Sequence, residues 1–398
     1  MRKTGGFGGL LKVPDAILAI SALGTLAVAL WLYASFGSAT LRAIPSDSMY
    51  VHADFDTFWR SAEALWERTD PYFTETWRTN LNPPVWILLV SPLGLLEPLA
   101  AYRVFVLITL LTSAGSLLWM AYELRLRLWL TVVGVGMLLL SSALLDTLRL
   151  GQLYPILALG LVAAWVADRR DKPLLSGCAL GLVVAVKPSL APVILWPLVR
   201  RRWGMLGAMF ASGAAATFVG LVAVGPGATL DWLWLLANTP LDVYLDNASL
   251  PAAAARLFTD NGYVEPIAPL SWAAPAADVL AGAIVILTAV KARRDSEMGL
   301  WALVAASLLI SPLAWYRYLV LLGPGILLLL RRGRTAPAFL LLALQFVPRE
   351  WSIPWEHGYA PAAALALTLY LYILLAHWLA FLPTGGKEPA RAPEPARS

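Results

Sequence analysis

Apolar stretches long enough to cross or enter a bilayer recur along the chain, separated by short polar segments rich in Arg, Lys, Pro and Gly. The pattern predicts a first helix over 14–35, a short proline-interrupted segment dipping in over 83–97, and spans over 99–121, 128–146, 150–167, 203–224 and 273–291. Further segments fall at 299–314, 315–331, 337–348 and 361–382. The stretch 174–199 lies between two basic clusters, so it must enter and return as two short helices broken at Lys187-Pro188. Proline removes a backbone donor there and clashes with the preceding turn. The expectation is an all-α polytopic membrane protein with about 12 membrane-embedded helices. Two polar stretches, 36–82 and 225–270, read as long loops.

Charge orients this ladder. Basic clusters occur at Arg2/Lys3/Lys12, Arg125/Arg127, Arg169/Arg170/Lys172, Arg200 to Arg202, Lys291/Arg293/Arg294 and Arg331/Arg332/Arg334. The positive-inside rule puts them all on the cytoplasmic side, and the alternation of spans agrees. Both termini are then expected in the cytoplasm and both long loops outside. The first span ends without a small-residue cleavage site and reads as uncleaved. Residues 1–384 are expected to form one transmembrane unit, and the Pro-rich 385–398 a disordered cytoplasmic tail.

Composition narrows the class. With 59% hydrophobic and 14% charged residues, the chain falls well short of the roughly 25% charge of soluble domains. Many of its Trp residues stand at the ends of apolar runs, where an aromatic belt meets the bilayer interface. The net charge of +5 comes from clusters between apolar segments, not from one polar face, which argues against a nucleic-acid partner. A lone Cys178 excludes an intramolecular disulfide, and His52, His357 and His377 are too scattered for a zinc site. No Gly-rich nucleotide loop follows a strand, so no soluble nucleotide-sugar or ATP site, and no nucleotide cofactor, is expected.

The topology collects Asp54, Asp56, Gln152, Lys187, Asn247, Ser249, Arg317, Glu356 and His357 on the external side. Asp54 and Asp56 precede an amphipathic stretch with Phe58, Ala62, Leu65 and Trp66 at helical spacing. They can cap that helix, or act as a general base beside an apolar boundary. Lys187 is ionisable within an apolar stretch, which marks a functional position by default, with snorkelling as the alternative. Arg317, in Trp315-Tyr-Arg-Tyr318, suits either an interface anchor or a phosphate ligand.

A series of short motifs carries a family resemblance. Asp54-Phe55, Asp70-Pro71-Tyr72, Asn82-Pro83-Pro84 and Ser91-Pro92-Leu93 open it. Gly151-Gln152, Gly181 to Lys187-Pro188, the basic turn ending at Trp203, Asn247-Ala-Ser-Leu250 with Arg256, and Ser311-Pro312 with Trp315 follow in order. The series, over about residues 50–330, resembles glycosyltransferase family 87, polyprenyl-phosphate-sugar-dependent enzymes of the GT-C fold. The chain departs from that pattern at Thr69, where a Gly is usual, at Ala248 in place of Gln, and at Tyr316-Arg317-Tyr318, where His is expected.

The resemblance implies a GT-C-like fold with an external catalytic loop and no metal. Asp54 takes the catalytic position, with Asp56 as fallback, and Lys187 and Arg317 hold the donor phosphate. Gln152, Asn247, Ser249, Tyr316 and His357 would contact the sugar or acceptor. The donor would be a polyprenyl-phosphate sugar, mannose favoured, and the acceptor a glycolipid or cell-envelope glycan. A transporter or flippase of lipid-linked glycans would use the same cations and tolerate Asp54→Asn. A purely structural membrane subunit would need none of these residues.

Overall fold

The computed structural model describes residues 33–355 and 361–383, with individual residues between 20 and 31. Half of the predicted first helix, Glu356, His357 and the tail 385–398 lie outside the described residues. The described elements are helical; one isolated bridge pairs Asn247 with Trp315.

Helix α1 (Ala53–Glu67) buries Phe55, Phe58, Trp59 and Ala62 along one face and ends where Arg68 turns left-handed. α2 (Pro84–Val90) starts on proline, which costs nothing in a first turn, and runs into the 3-10 turn Ser91–Leu95. Next come α3 (Pro98–Glu123), α4 (Leu128–Leu139), α5 (Ser142–Leu150), α6 (Tyr154–Arg169) and α7 (Pro173–Val186). After the break at Lys187 the chain runs through Pro188–Ile194 and Leu195–Val199 into α8 (Trp203–Val224), then α9 (Pro226–Asn238) and α10 (Leu250–Phe258). α11 (Ala273–Ala292), α12 (Ser296–Ile310), the 3-10 turn Tyr316–Leu322, α13 (Gly323–Arg331), α14 (Thr335–Leu344) and α15 (Leu369–Phe381) complete the bundle.

Among the described residues three helices, α3, α8 and α11, are long and apolar enough to cross a membrane. α4 and α5 make a fourth candidate, bent by 45° at Leu140-Ser141. These spans do not by themselves establish the expected count of about 12 membrane-embedded helices; the other apolar segments are short helices, broken at Lys187-Pro188, Ser311-Pro312 and similar points. Such breaks are tolerated where freed backbone groups face protein and not lipid. The stretch 225–270, expected as a loop, contains α9 and α10. α12 is apolar all round, and Met298 through Leu309 are buried, so it forms the centre. α8, by contrast, exposes Phe210, Phe218, Val219 and Val222 on a face suited to lipid. α7 meets α8 closely because a Cβ on Gly177 would lie 2.1 Å from the Met205 carbonyl, and one on Gly181 2.1 Å from Ser212 Oγ. Small residues four apart permit that approach.

Two ionic layers close the bundle ends. α6 has 16 residues and rises about 24 Å between them. At its far end Arg170 pairs with Glu123 at 2.6 Å, Arg200 with Asp168 at 2.8 Å and Arg332 with Glu297 at 3.2 Å. The face that carries the basic clusters is thus interleaved with carboxylates. Their separation in sequence had hidden the pairing.

Candidate active site

The near end of α6 opens on the start of α1. His52 fastens that start to the end of α5: its Nδ1 lies 2.7 Å from the Arg149 carbonyl and its Nε2 3.1 Å from that of Ser46. Its ring stacks on Tyr102 at 3.6 Å, and the Tyr102 hydroxyl donates to the Leu148 carbonyl at 3.0 Å. Gly151 then ends α5 with φ 71°, and a Cβ there would sit 2.4 Å from Phe55 Cβ. Only glycine satisfies both the left-handed backbone and the approach to α1. The next residue, Gln152, is thereby delivered to Asp54.

Asp54 is 6% exposed. Its Oδ2 accepts from Gln152 Nε2 at 2.5 Å and lies 3.4 Å from Arg317 Nη2, while Oδ1 lies 3.3 Å from Arg78 Nε. Capping does not describe it: the N-cap of α1 is His52, which makes no side-chain cap bond. Arg317 turns its other nitrogen, Nη1, to Asp146 Oδ2 at 3.6 Å and rests over the Trp315 ring. Asp146 Oδ1 accepts in turn from Arg149 Nε at 2.9 Å and Nη2 at 2.5 Å. Asp246 lies beside this group, 3.4 Å from Arg349 Nε, and Arg349 Nη2 donates to the Tyr244 hydroxyl at 2.5 Å. Burial pushes the Asp246 carboxyl up to about 6, against the pull of Arg349 and Arg317.

Among the described residues, four buried polar atoms here have no hydrogen-bond partner: Asp146 Oδ2, Asp246 Oδ1, Arg317 Nε and the Tyr370 hydroxyl. Tyr370 stacks on Tyr316 with ring centroids 4.7 Å apart, so the orphans share one neighbourhood. Buried polar atoms normally find partners. A hydroxyl-rich ligand supplies donors and acceptors of that kind.

The other predicted residues divide. Lys187, at the break after α7, reaches over Tyr318 at 5.5 Å and Tyr154 at 5.8 Å, rings that lie 3.8 Å apart beside Arg317. Tyr316 is buried at the core of the cluster. Asn247 and Ser249 are fully buried, and their side chains bond within the protein. Asn247 Nδ2 donates to the carbonyls of Asp242 and Pro312 at 2.7 and 2.8 Å, and its Oδ1 accepts from Ala314 N at 3.0 Å. Ser249 Oγ caps α10 by accepting from Ala252 N at 3.3 Å. They bracket the loop that carries Asp246, and Arg256 pins the same loop by donating to the carbonyls of Val243, Tyr244 and Asn247. Asp56 faces elsewhere, into an open cleft of about 500 Å³ with Tyr50, Glu75 and Trp77. Burial raises its carboxyl above the usual range, with Arg60 lowering it and Glu63 raising it. His357 lies outside the described residues.

Asp146, Asp246, Arg78 and Arg349 were not anticipated. Asp146 carried a usable signal, a carboxylate inside an apolar run, the same signal that marked Lys187. Arg78 and Arg349 sit in polar stretches where nothing distinguishes one arginine from another.

A family model described as glycosyltransferase family 87 matches residues 80–312, more than half of the chain. The chain belongs to glycosyltransferase family 87. An alpha-(1->3)-arabinofuranosyltransferase of Mycobacterium tuberculosis is 30% identical over 199 residues, covering 47% of this chain and 43% of that protein. One from Corynebacterium glutamicum is 29% identical over 129 residues, 32% of this chain and 31% of that protein. The matched stretch thus spans less than half the length of these curated relatives. No solved structure matches the chain at a significant level. Gln152, Lys187, Asp146 and Asp246 fall inside the stretch matched to family 87, whereas Asp54, Arg317 and Arg349 fall outside it. The fold draws the two sets into one cluster.

Proposed function

We propose that this family 87 chain is a membrane glycosyltransferase that moves a sugar from a polyprenyl-phosphate donor to a hydroxyl of a glycolipid or cell-envelope glycan. The observation that carries the reading is the buried Asp54, held between Gln152, Arg317 and Arg78. A phosphate brought in by the donor competes with Asp54 for Arg317 and Arg78, both suited to bidentate phosphate recognition. The released carboxylate then takes the proton of the acceptor hydroxyl. The acceptor oxygen attacks the anomeric carbon from the opposite side, the carbon–oxygen bond to phosphate breaks, and its electron pair leaves with the phosphate. The anomeric centre inverts. Lys187, behind the Tyr154–Tyr318 pair, adds positive charge along the phosphate path. The orphaned atoms of Asp146, Asp246 and Tyr370 are the groups best suited to sugar hydroxyls.

On this reading the Asp54 cluster faces the outside of the cytoplasmic membrane and the Arg169–Arg332 layer the cytoplasm, as the positive-inside rule requires. The names of the relatives make arabinofuranose the first donor sugar to test, beside mannose. One observation favours a second base: Asp56 lines an open cleft and its carboxyl is raised.

The deciding experiment incubates purified wild type, Asp54→Asn and Asp56→Asn with radiolabelled polyprenyl-phosphate arabinofuranose or mannose and a membrane glycolipid extract. Transfer lost in Asp54→Asn alone supports the reading, and loss in Asp56→Asn alone moves the base to the cleft. A wild type that binds both donors and transfers neither is a transporter or flippase of lipid-linked glycans.

A further inference from the structure

The second ionic layer holds a feature that the glycosyltransferase reading leaves unused. Its basic residues are mostly neutralised: Arg169 and Arg170 by Glu123, Arg200 and Arg202 by Asp168, and Arg332 by Asp295 and Glu297. The side chains of Arg201, Arg293 and Arg294 have no partner of this kind among the described residues. They converge with Arg200 and Ser296 on an open cleft of about 480 Å³ that no carboxylate lines. Arg200 is held in place by Asp168 at 2.8 Å, yet its Nη1 is buried without a hydrogen-bond partner. Three arginines without a carboxylate beside a fourth that has one repel one another, so an anion placed among them stabilises the arrangement.

The cleft is also amphipathic. It runs into a second one of about 510 Å³, sharing Val199, Arg201 and Arg293 and walled by Leu198, Trp203 and Val290. Trp203 begins α8, one of the helices long enough to cross a membrane, so the apolar wall continues into the surface suited to lipid. The start of α8 adds its helix dipole to the positive field.

We propose that this cleft, between the turns 199–203 and 290–296, binds an anionic phospholipid, its phosphate on Arg201, Arg293 and Arg294 and one chain along Leu198, Trp203 and Val290. A free phosphate uses only the first half of the site. The apolar half selects the lipid.

Native mass spectrometry of the detergent-solubilised full chain tests this with phosphatidylglycerol, phosphatidylcholine and inorganic phosphate as probes. Wild type is expected to retain one phosphatidylglycerol, with Arg293→Ala/Arg294→Ala weakening retention at least about tenfold and leaving phosphatidylcholine unchanged. Among the described residues neither side chain makes an internal bond, so the melting temperature of the variant should match that of wild type. Trp203→Ala, which keeps all four arginines, should also weaken retention and serves if the double variant folds poorly. Equal retention of the two lipids, or unchanged retention in either variant, overturns the proposal. Displacement of phosphatidylglycerol by an equal concentration of inorganic phosphate reduces the site to a plain anion site and overturns it as well.

Discussion

Gln152 Nε2 sits 2.5 Å from Asp54 Oδ2, joining two residues 98 positions apart inside the protein. A hydrogen bond to an ionised carboxylate is worth about 1.5–3 kcal/mol, so Gln152→Ala should slow transfer roughly 10–100-fold at saturating donor. Gln152→Glu should do worse, because it replaces the donor with a second carboxylate facing Asp54. Initial rates decide: an unchanged rate in Gln152→Ala removes the contact from the catalytic geometry.

Arg317 serves Asp54 and Asp146 together. Removing one partner of a buried ion pair costs about 3–5 kcal/mol because the remaining charge is left uncompensated. Arg317→Met should therefore lower the melting temperature in detergent by several degrees or prevent folding. Asp54→Asn added to it should restore part of the loss, which a double-mutant cycle measures.

Gly151→Ala sets a methyl group against Phe55 and forces a left-handed backbone on a residue that resists it. The expected cost is about 1–3 kcal/mol, with a fall in transfer as Gln152 is drawn away from Asp54. A variant with full stability and full rate would show that the turn is freer than its geometry indicates.

Asp246 gives the chain a pH dependence of definite sign. Its carboxyl, raised by burial to about 6, keeps a proton in the folded protein that the unfolded chain releases at roughly 4. Between those values the folded state binds more protons, so stability falls as pH rises, by an amount on the order of 3 kcal/mol, and levels off above 6. Asp246→Asn should flatten that segment of a plot of melting temperature against pH. A wild-type curve that rises over the same interval contradicts the assignment.

Local physical rules sufficed for much of the helical framework. The apolar run at 203–224 appears as Trp203–Val224, and the break at Lys187-Pro188 stands where proline and a half-buried cation interrupt the run. The amphipathic stretch read from Phe58, Ala62, Leu65 and Trp66 is α1; Phe58 and Ala62 lie on its buried face, Leu65 at the edge, and Trp66 is exposed. Hydropathy, proline geometry and charge clusters act over a few turns of helix, so a linear reading detects them. That reading also drew in Asp54 and Gln152 through the order of short motifs, and Arg317 through its place at the outer turn between two apolar segments.

What those residues do to each other was decided by chain crossings. Arg317 meets Asp54 across 263 positions, and Asn247, a reasonable sugar ligand by type, turns out to bracket a loop through Pro312 and Ala314. Asp146 and Asp246 join the cluster from two different segments, and neither shares a local pattern with Arg317. A buried polar side chain takes whatever partner the packing of helices brings within about 3 Å. The sequence by itself determined which segments are apolar and where they break; only the tertiary structure decided which charges face one another, because that depends on how whole helices pack.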